Sequence, residues 1–371
     1  MSTVTLSKPH WAMTSAEKPE GMASQAFMTA LPDAQIFATL VGIVVFLPWI
    51  GWGNARPRVL GGQIRMALYG GPVIDAHHHL WDLALGRHPW ITGADPAMAS
   101  LGNLDFLRSD YLAADYLRDV GETNFAGSVH VEAAWDRGDD PVAETRWLMS
   151  IDRPRGVATR LVGFVALEAA DVEARLAAHR AAGPVVGVRE TIRWHPDPAR
   201  RWAEAGVLDR ADKRRGIAEL ARAGMLLEVL MNPYQSADVA RLARDMPDLQ
   251  IVVNHCASPM DRDEAGLARW REGLALMASC PNVAIKVSNF GVYAADRSSA
   301  GLRGAVMTCV EAFGAGRSMF GTDYPVGRRA LGYRENVVGF AAAIADFSAD
   351  EQRAMFHDNA RRVYRFDVAV G

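Results

Sequence analysis

The segment VIDAHHHLWD, residues 73–82, places three consecutive histidines directly after a short apolar run that is typical of a buried strand. Side chains alternate across a strand, so His77 and His79 are expected on one face, together with Asp75. His78 is expected on the other face. The sequence therefore predicts two imidazoles side by side at the end of a first strand, suited to binding Zn²⁺ or to hydrogen bonding with a substrate oxygen.

Seven further apolar segments follow the first, PVID, and amphipathic segments with helical periodicity separate them. These further strand candidates are AGSVHVEA, LVGFVAL, PVVGVRE, MLLEVLM, LQIVVNH, NVAIKVS and SMFGTDY. Eight strand-helix units in roughly 300 residues predict an α/β protein with a closed (β/α)₈ TIM barrel. A doubly wound sheet is the competing fold, but no G-x-G-x-x-G motif follows any of these strands.

A barrel of this kind carries its chemistry at the C-terminal ends of the strands, and alternation predicts which side chains point inward. In the second strand, Val129 and Val131 fit the apolar outer face, which directs His130 and Glu132 inward. In the seventh strand, the same rule directs Lys286 inward. These polar residues are predicted to contribute to the wall of a site inside the barrel.

Other strand ends carry an imidazole and charged groups. NHCASP ends the sixth strand with His255, and FGTDYPV ends the eighth with Asp323. An aspartate at such a position can bind a metal ion or accept a proton from water, although a turn or N-cap role is the alternative for an isolated residue. The candidate catalytic and metal-binding residues are therefore His77, His79, His255 and Asp323.

Four further residues near strand ends need an assignment. Arg189, in GVRE, offers a planar guanidinium for a substrate carboxylate or hydroxyls, or alternatively an ion pair with Glu190 or another barrel carboxylate. Trp81 and Tyr324 are placed to shape a pocket, with simple packing as the alternative. Cys256 is the neighbour of an inward histidine, so it is expected to pack under a helix rather than to act as a nucleophile.

Composition limits the possible partners. The chain has 371 residues, half of them hydrophobic, and a formal net charge of -3 without a basic stripe. This pattern predicts a small-molecule substrate and no nucleic-acid partner. The three cysteines are odd in number and lack metal-binding spacing, which indicates a reducing, cytoplasmic compartment.

The N-terminal part differs from the rest of the chain. Residues 36–53, IFATLVGIVVFLPWIGWG, carry no charge and reach the lower length limit for a membrane helix, although Pro48 weakens the helical pattern. Arg56 and Arg58 would leave the large domain on the cytoplasmic side of such a span. The alternative, which we favour, is that residues 1–65 form a disordered extension outside the working protein and that the barrel domain spans 66–371.

Several of these segments, taken in order over residues 73–366, are similar to those of a known family. IDAHHHLWD, VVGVRE, VVNHCASP, FGTDYPV and DNARRVYRF resemble the amidohydrolase superfamily, in the subgroup of sugar lactonases and 2-pyrone-4,6-dicarboxylate lactonase. The resemblance implies a metal-dependent-hydrolase-like barrel and hydrolysis of a sugar-derived or pyrone-dicarboxylate-type lactone. It also implies that the three histidines and the aspartate named above occupy the active site.

The expected mechanism uses Asp323 as the general base on the attacking water. The histidines would polarise the lactone carbonyl directly or hold one divalent metal ion, Zn²⁺, so that metal-dependent and metal-free mechanisms both stay open. The predicted substrate-binding residues are Arg189, Lys286, His130, Trp81 and Tyr324. Decarboxylation of an aromatic acid at the same site is the alternative activity, and binding without catalysis is a third interpretation.

Overall fold

A parallel barrel forms the part of the chain that the computed structural model describes, which is residues 69–93, 102–154 and 156–367. Its eight strands pair in sequential order, each parallel to the next. The strands are β1 (Val73–His78), β2 (Phe125–Val131), β3 (Arg160–Gly163), β4 (Val185–Thr191), β5 (Leu226–Leu230), β6 (Ile251–Val253), β7 (Val283–Ser288) and β8 (Ser318–Gly321). The ring closes where His78 of β1 bridges Tyr324, just past β8. The predicted TIM barrel is confirmed.

Helices follow the strands, as the amphipathic segments predicted. They are α1 (Pro89–Thr92), α2 (Ala113–Val120), α3 (Ala143–Ser150), α4 (Val172–Ala182), α5 (Ala211–Arg222), α6 (Ser236–Asp245), α7 (Glu264–Ala278), α8 (Phe290–Tyr293), α9 (Ser299–Phe313), α10 (Tyr333–Ala343), α11 (Ala349–Arg353) and α12 (Asn359–Val363). One π-helical turn, Ala354–Asp358, joins the last two. Together the strands and helices make the two-layered wall that surrounds the site.

Two apolar clusters hold these layers together. The larger fills the space between strands and helices and includes Leu227, Val229 and Ile285. The smaller fills the barrel itself, where Tyr364, just past α12, packs against strand residues. The barrel-filling strand residues are Ile74, Ala76, Val129, Val131, Val162, Val186, Leu226, Val252, Ala284 and Met319. These residues and Tyr364 form an apolar plug that fills the N-terminal half of the barrel. Polar side chains occupy the C-terminal mouth.

The predicted orientation of β2 is wrong. Val129 and Val131 pack inside the barrel, while His130 turns away from the interior and meets the outward ring of His78 edge-on at 5.6 Å between centroids. A parallel strand is apolar on both faces, so hydrophobicity alone does not identify the inner one. Glu132 lies just past the end of β2, where side chains no longer alternate strictly between the two faces. It reaches the interior as predicted.

A bulge in β1 explains where its polar residues point. Asp75 pairs with Ser128 and His78 pairs with His130, so three steps along β1 match two along β2. The extra residue shifts the alternation of side chains within the strand. The rule that every second residue of a strand shares a face therefore does not hold across this bulge.

The consequence is that Asp75 does not share a face with His77 and His79. Its carboxylate accepts hydrogen bonds from the Tyr116 hydroxyl of α2 at 2.9 Å and from the Thr322 hydroxyl at 2.6 Å. His78 stacks on the same tyrosine ring at 4.2 Å. The prediction for Asp75 is wrong, whereas the outward position of His78 is confirmed.

The predicted membrane segment at 36–53 and the extension 1–65 lie outside the described residues. Within the described ranges, no helix combines the length and the hydropathy that a membrane crossing requires. The domain boundary at residue 66 and the cytoplasmic location stay predictions.

Candidate active site

Three imidazoles converge on one carboxylate oxygen at the C-terminal mouth of the barrel. Asp323 Oδ1 lies 3.1 Å from His79 Nε2, 3.6 Å from His77 Nε2 and 3.7 Å from His255 Nε2. All four residues are at most 5% exposed. The structure thus brings together the whole set of catalytic candidates named from the sequence.

The segments that carry this cluster have unusual backbone conformations. His255, Asn289 and Asp323 follow β6, β7 and β8, and their φ angles of 51°, 54° and 61° lie in the left-handed region. Non-glycine residues seldom adopt this conformation, and where they do it is often at functional sites. At Gly321 a Cβ would lie only 3.2 Å from the Cβ atoms of His77 and Ser288, so a glycine at the end of β8 makes room for the histidine.

Each histidine is oriented by a partner on its Nδ1 side. His79 Nδ1 lies 2.8 Å from the Val131 carbonyl oxygen and therefore donates to it. His255 Nδ1 lies 2.9 Å from the Ser288 hydroxyl. For His79 the donated proton leaves the Nε2 lone pair directed at the centre of the cluster when the ring is neutral, as binding a metal requires.

Charge states within the cluster suit proton transfer. Burial lowers the pKa of His77 well below its ordinary value, and Lys286 adds to this effect. Burial also lowers the pKa of His255 to about 3, although Asp323 opposes the shift. Burial alone would raise the pKa of Asp323, but His255 and His79 outweigh it and lower the value. At neutral pH the site therefore holds the carboxylate of Asp323 beside the neutral imidazoles of His77 and His255.

A buried ion pair lies directly beneath the histidines. Lys286 Nζ is 2.6 Å from Glu228 Oε1 and 3.4 Å from His77 Nδ1. Glu228 also accepts hydrogen bonds from the Tyr364 hydroxyl at 2.7 Å and from Asn254 Nδ2 at 2.8 Å. Burial lowers the pKa of Lys286 to about 8, against the opposing charge of Glu228. This layer separates the apolar plug from the active site and supports His77 from below.

The ligand atoms of His77, His255 and Asp323 all lie within 4.8 Å of one another. Imidazole nitrogens and carboxylate oxygens are the donors that Zn²⁺ takes in catalytic sites. His77 Nε2 is buried and has no hydrogen-bond partner in the described ranges, as expected of a nitrogen that would bind a metal ion. These residues therefore fit a single divalent metal ion.

Known proteins are similar to this chain in fold and in sequence. The family model described as amidohydrolase matches residues 74–366. The chain belongs to the amidohydrolase family. An L-fucono-1,5-lactonase of Burkholderia multivorans is 30% identical, covering 78% of this chain and 95% of that protein. An uncharacterized protein of Sinorhizobium fredii is 32% identical, covering 79% and 98%. A crystal structure of a Burkholderia multivorans amidohydrolase with bound zinc has 26% identity and a TM-score of 0.66, covering 80% and 99%.

Family membership and the lactonase relative identify this amidohydrolase as a hydrolase. Its active-site cavity has a volume of about 320 Å³, near the lower end for small-molecule sites. Of the predicted residues, the cavity is lined by His79, His255, Asp323, Arg189 and Glu132, whereas His77 is fully buried and does not line it. His79, His255 and Asp323 thus form the floor, and the walls come from the loops above the strands.

Arg189 forms the ion pair that was the alternative to substrate binding, but its partner is Glu132 rather than Glu190. Its Nε and Nη2 lie 2.8 and 2.6 Å from Glu132 Oε1, and Nη2 also donates to the Glu132 carbonyl at 2.7 Å. Arg137 holds the other carboxylate oxygen at 2.8 Å. Burial opposes ionisation of Glu132, but the two arginines lower its pKa to about 2.

Four predicted substrate contacts do not line the cavity. Lys286 is fully buried beneath the site, and His130 lies behind His79 with the ring centroids 6.3 Å apart. Trp81 Nε1 donates to the Ser109 carbonyl at 2.8 Å, and the Tyr324 hydroxyl donates to the Leu331 carbonyl at 3.3 Å. Both aromatic rings serve packing, the alternative that the sequence left open. Local sequence does not reveal whether a ring near a strand end faces the cavity or the helices.

The remaining wall residues were missed by the sequence analysis. The principal ones are Trp90, Arg137, Arg193, Trp202, Asn289, Tyr293 and Arg329. Most of them lie in irregular segments after the strands, where no periodic pattern marks which side chains turn inward. Their position in segments at the C-terminal face of a barrel is the one feature of the sequence that could have indicated them.

Cys256 does not line the cavity. Its side chain is buried in the large apolar cluster, with Sγ 3.8 Å from the Ser288 carbonyl oxygen. The predicted packed position of Cys256 is confirmed, and its exclusion as a nucleophile stays a prediction. The reason differs from strand alternation, because β6 ends at Val253 and Cys256 lies in a turn with a φ of 55°.

Proposed function

We propose that this amidohydrolase opens the ring of a lactone, a cyclic ester, to the corresponding hydroxy acid. The observation that carries the proposal is the ionised carboxylate of Asp323 facing three imidazoles, of which His79 and His255 line the floor of a small cavity. Water activation and carbonyl polarisation are the two needs of ester hydrolysis, and this cluster is suited to both. The lactonase relative described above supports the same class of substrate.

Asp323 acts as the general base in this proposal. Its lowered pKa keeps the carboxylate ionised at neutral pH, so Oδ1 is ready to take a proton from the attacking water. Asn289 Nδ2 donates to the other oxygen at 2.8 Å and fixes the carboxylate plane. Once the ring opens, the protonated acid returns its proton to the ring oxygen that leaves as a hydroxyl.

The histidines polarise the ester carbonyl. His77, His255 and Asp323, with His79 alongside, are the residues that would hold a divalent metal ion. Such an ion supplies Lewis-acid polarisation of the carbonyl and lowers the pKa of a water molecule. The chain's own contribution is orientation, because Val131, Ser288 and Lys286 fix the rings from behind.

Replacement of the base tests the proposal. We expect Asp323→Asn to lower kcat by about 10²- to 10⁴-fold on any lactone that the wild type opens, because general-base assistance is lost. The assay is pH-stat hydrolysis of a panel of sugar and pyrone lactones, with unfolding temperature measured in parallel. The matched control is Asp248→Asn, which makes the same chemical change at an exposed site and should leave the rate unchanged.

Two outcomes would contradict this assignment. A near-normal rate in Asp323→Asn would exclude this residue as the base. Carbon dioxide release from aromatic acids, without turnover of any lactone, would assign the decarboxylase activity that the sequence left as the alternative. Repeating the wild-type assay after chelation, with zinc content measured, distinguishes a metal-dependent from a metal-free mechanism.

A further inference from the structure

The walls of the cavity carry more positive than negative charge. Four arginines line it, whereas the carboxylates among the described lining residues belong to Glu132 and Asp323. Asp323 lies at the floor, where it faces the histidines. Neutral sugar or pyrone rings have no need for this surplus of guanidinium groups, which indicates that the substrate itself carries negative charge.

The two arginines on one side of the cavity are already neutralised in part. Glu132 accepts from both Arg189 and Arg137, one on each carboxylate oxygen. This triad forms a fixed wall in which the guanidinium forks point at a protein carboxylate. Arg189 and Arg137 therefore attract a substrate anion less strongly than an arginine without such a carboxylate partner would.

Arg193 has a different environment. It is 4% exposed, donates from Nη2 to the Tyr293 hydroxyl at 3.2 Å, and stacks its guanidinium carbon 4.6 Å from the centre of the Trp202 ring. Within the described ranges, the ion pairs with Glu132 belong to Arg189 and Arg137, and Arg193 forms none. Neither Arg193 Nε nor Trp202 Nε1 has a hydrogen-bond partner there. A buried cation without a counter-charge is costly, and a bound anion would offset that cost.

The backbone around Arg193 is held in place before any ligand binds. Its carbonyl accepts from Trp202 N at 2.8 Å and from Ala203 N at 3.1 Å. The carbonyl of the next residue, Trp194, accepts from Asn232 Nδ2 at 3.0 Å and from Gln235 Nε2 at 2.9 Å. A side chain on so fixed a segment loses little conformational freedom on binding, which is what a specificity site requires.

We propose that Arg193, supported by Trp202 and Tyr293, binds a carboxylate that the lactone carries in addition to its ester group. The substrate class is then a monocyclic lactone that carries at least one free carboxylate, rather than a neutral sugar lactone. The planar guanidinium matches a carboxylate through paired hydrogen bonds, and a cavity of about 320 Å³ suits one substituted ring. This inference rests on the proposed lactonase function and narrows it.

Matched substrates test the inference. The first pair, D-galactaro-1,4-lactone and D-galactono-1,4-lactone, differs by one carboxylate. The second pair, 2-pyrone-4,6-dicarboxylate and 2-pyrone, differs by two. We expect kcat/KM of the wild type to favour the carboxylated member of at least one pair by about tenfold or more, because the neutral member leaves the buried arginine unpaired. In Arg193→Gln this preference should collapse towards one.

Two further variants keep the test specific. Arg201→Gln makes the same substitution on the same segment, outside the cavity lining, and should retain the wild-type preference. Arg193→Lys keeps the charge without the planar fork and should give an intermediate preference. Because the comparison is a ratio within each protein sample, a variant that folds in lower yield still reports on selectivity.

The possible failures are distinguishable. A wild type that hydrolyses neutral lactones as well as carboxylated ones, or better, would overturn the inference and leave the proposed function intact. A preference for carboxylated lactones that survives in Arg193→Gln would remove the role of Arg193. No turnover of any lactone would instead contradict the proposed function itself.

Discussion

The two halves of the barrel interior are built from the same strands but differ in chemistry. The N-terminal half is filled by aliphatic residues such as Val129, Val252 and Met319, none of them exposed, and by Tyr364. The C-terminal half holds histidines, an aspartate and arginines, of which His255 and Asp323 lie on left-handed backbone. The comparison teaches that dense apolar packing on one side of the barrel supports a polar and strained arrangement on the other.

The boundary between the halves is a layer of buried charge. Lys286 and Glu228 are both fully buried, with Lys286 Nζ 2.6 Å from Glu228 Oε1. The Tyr364 hydroxyl donates a hydrogen bond to the same carboxylate oxygen. Lys286 contacts the site above through His77, whereas Tyr364 belongs to the plug below. This pair therefore couples the two halves, and its removal should affect both.

The largest effect is expected at this boundary. Lys286→Met should lower the free energy of unfolding by about 3–5 kcal/mol, because Glu228 is left as an uncompensated buried charge. It should also lower kcat, because His77 loses the group that orients it. Urea unfolding and the lactone assay measure the two effects separately.

The double variant Lys286→Met with Glu228→Gln is the control for charge. Removing both charges should restore much of the stability that the single substitution loses. A single variant as stable as the wild type would show that the halves are not coupled through this pair.

Substitution within the apolar plug should affect stability alone. Met319→Ala is expected to lower the free energy of unfolding by about 2–5 kcal/mol, since it leaves a cavity in a packed region. The activity of the folded fraction should stay at the wild-type level, because Met319 does not line the active-site cavity. The measurements are urea unfolding and kcat at a temperature where the variant is folded.

Met319→Leu is the matched control, because it keeps nearly the same volume and should cost less than about 1.5 kcal/mol. If the folded alanine variant instead lost activity in proportion to its stability, the separation between the halves would be refuted.

A buried carboxyl behind the cavity wall predicts a pH dependence of stability. Burial, reinforced by Glu132, raises the pKa of Glu144 to about 8, while its Oε1 accepts from Ala133 N at 2.6 Å. The folded protein holds this group as a neutral acid at pH 7, whereas the unfolded chain ionises it above about pH 4.3. Its contribution to stability is therefore complete below that pH and is lost as the pH rises towards 8.

Glu144→Gln removes this ionisation and keeps an oxygen that accepts from Ala133. We expect the variant to match the wild type at about pH 4, where Glu144 is protonated in both states, and to exceed its stability at pH 8. Urea unfolding at both pH values checks this. An equal decline of stability in the two proteins would show that Glu144 is not the titrating group.

The sequence by itself determined the barrel and the cluster of three histidines and one aspartate at its mouth. Eight apolar segments of strand length separated by amphipathic helices admit few other folds, and the fold places strand ends together whatever the details of packing. His77, His79, His255 and Asp323 follow from that topology, because each stands at the end of a strand. The assignment needed only the order of the elements.

Only the tertiary structure decided which residues form the walls of the site. The bulge in β1 turned Asp75 towards α2, and the apolar character of both faces concealed that Val129 points inward. Glu132 engages Arg189, while the irregular segment after β4 brings Arg193 and its stacked tryptophan into the cavity. Topology follows from local pattern, but the direction of a loop side chain depends on partners distant in sequence, which no local pattern records.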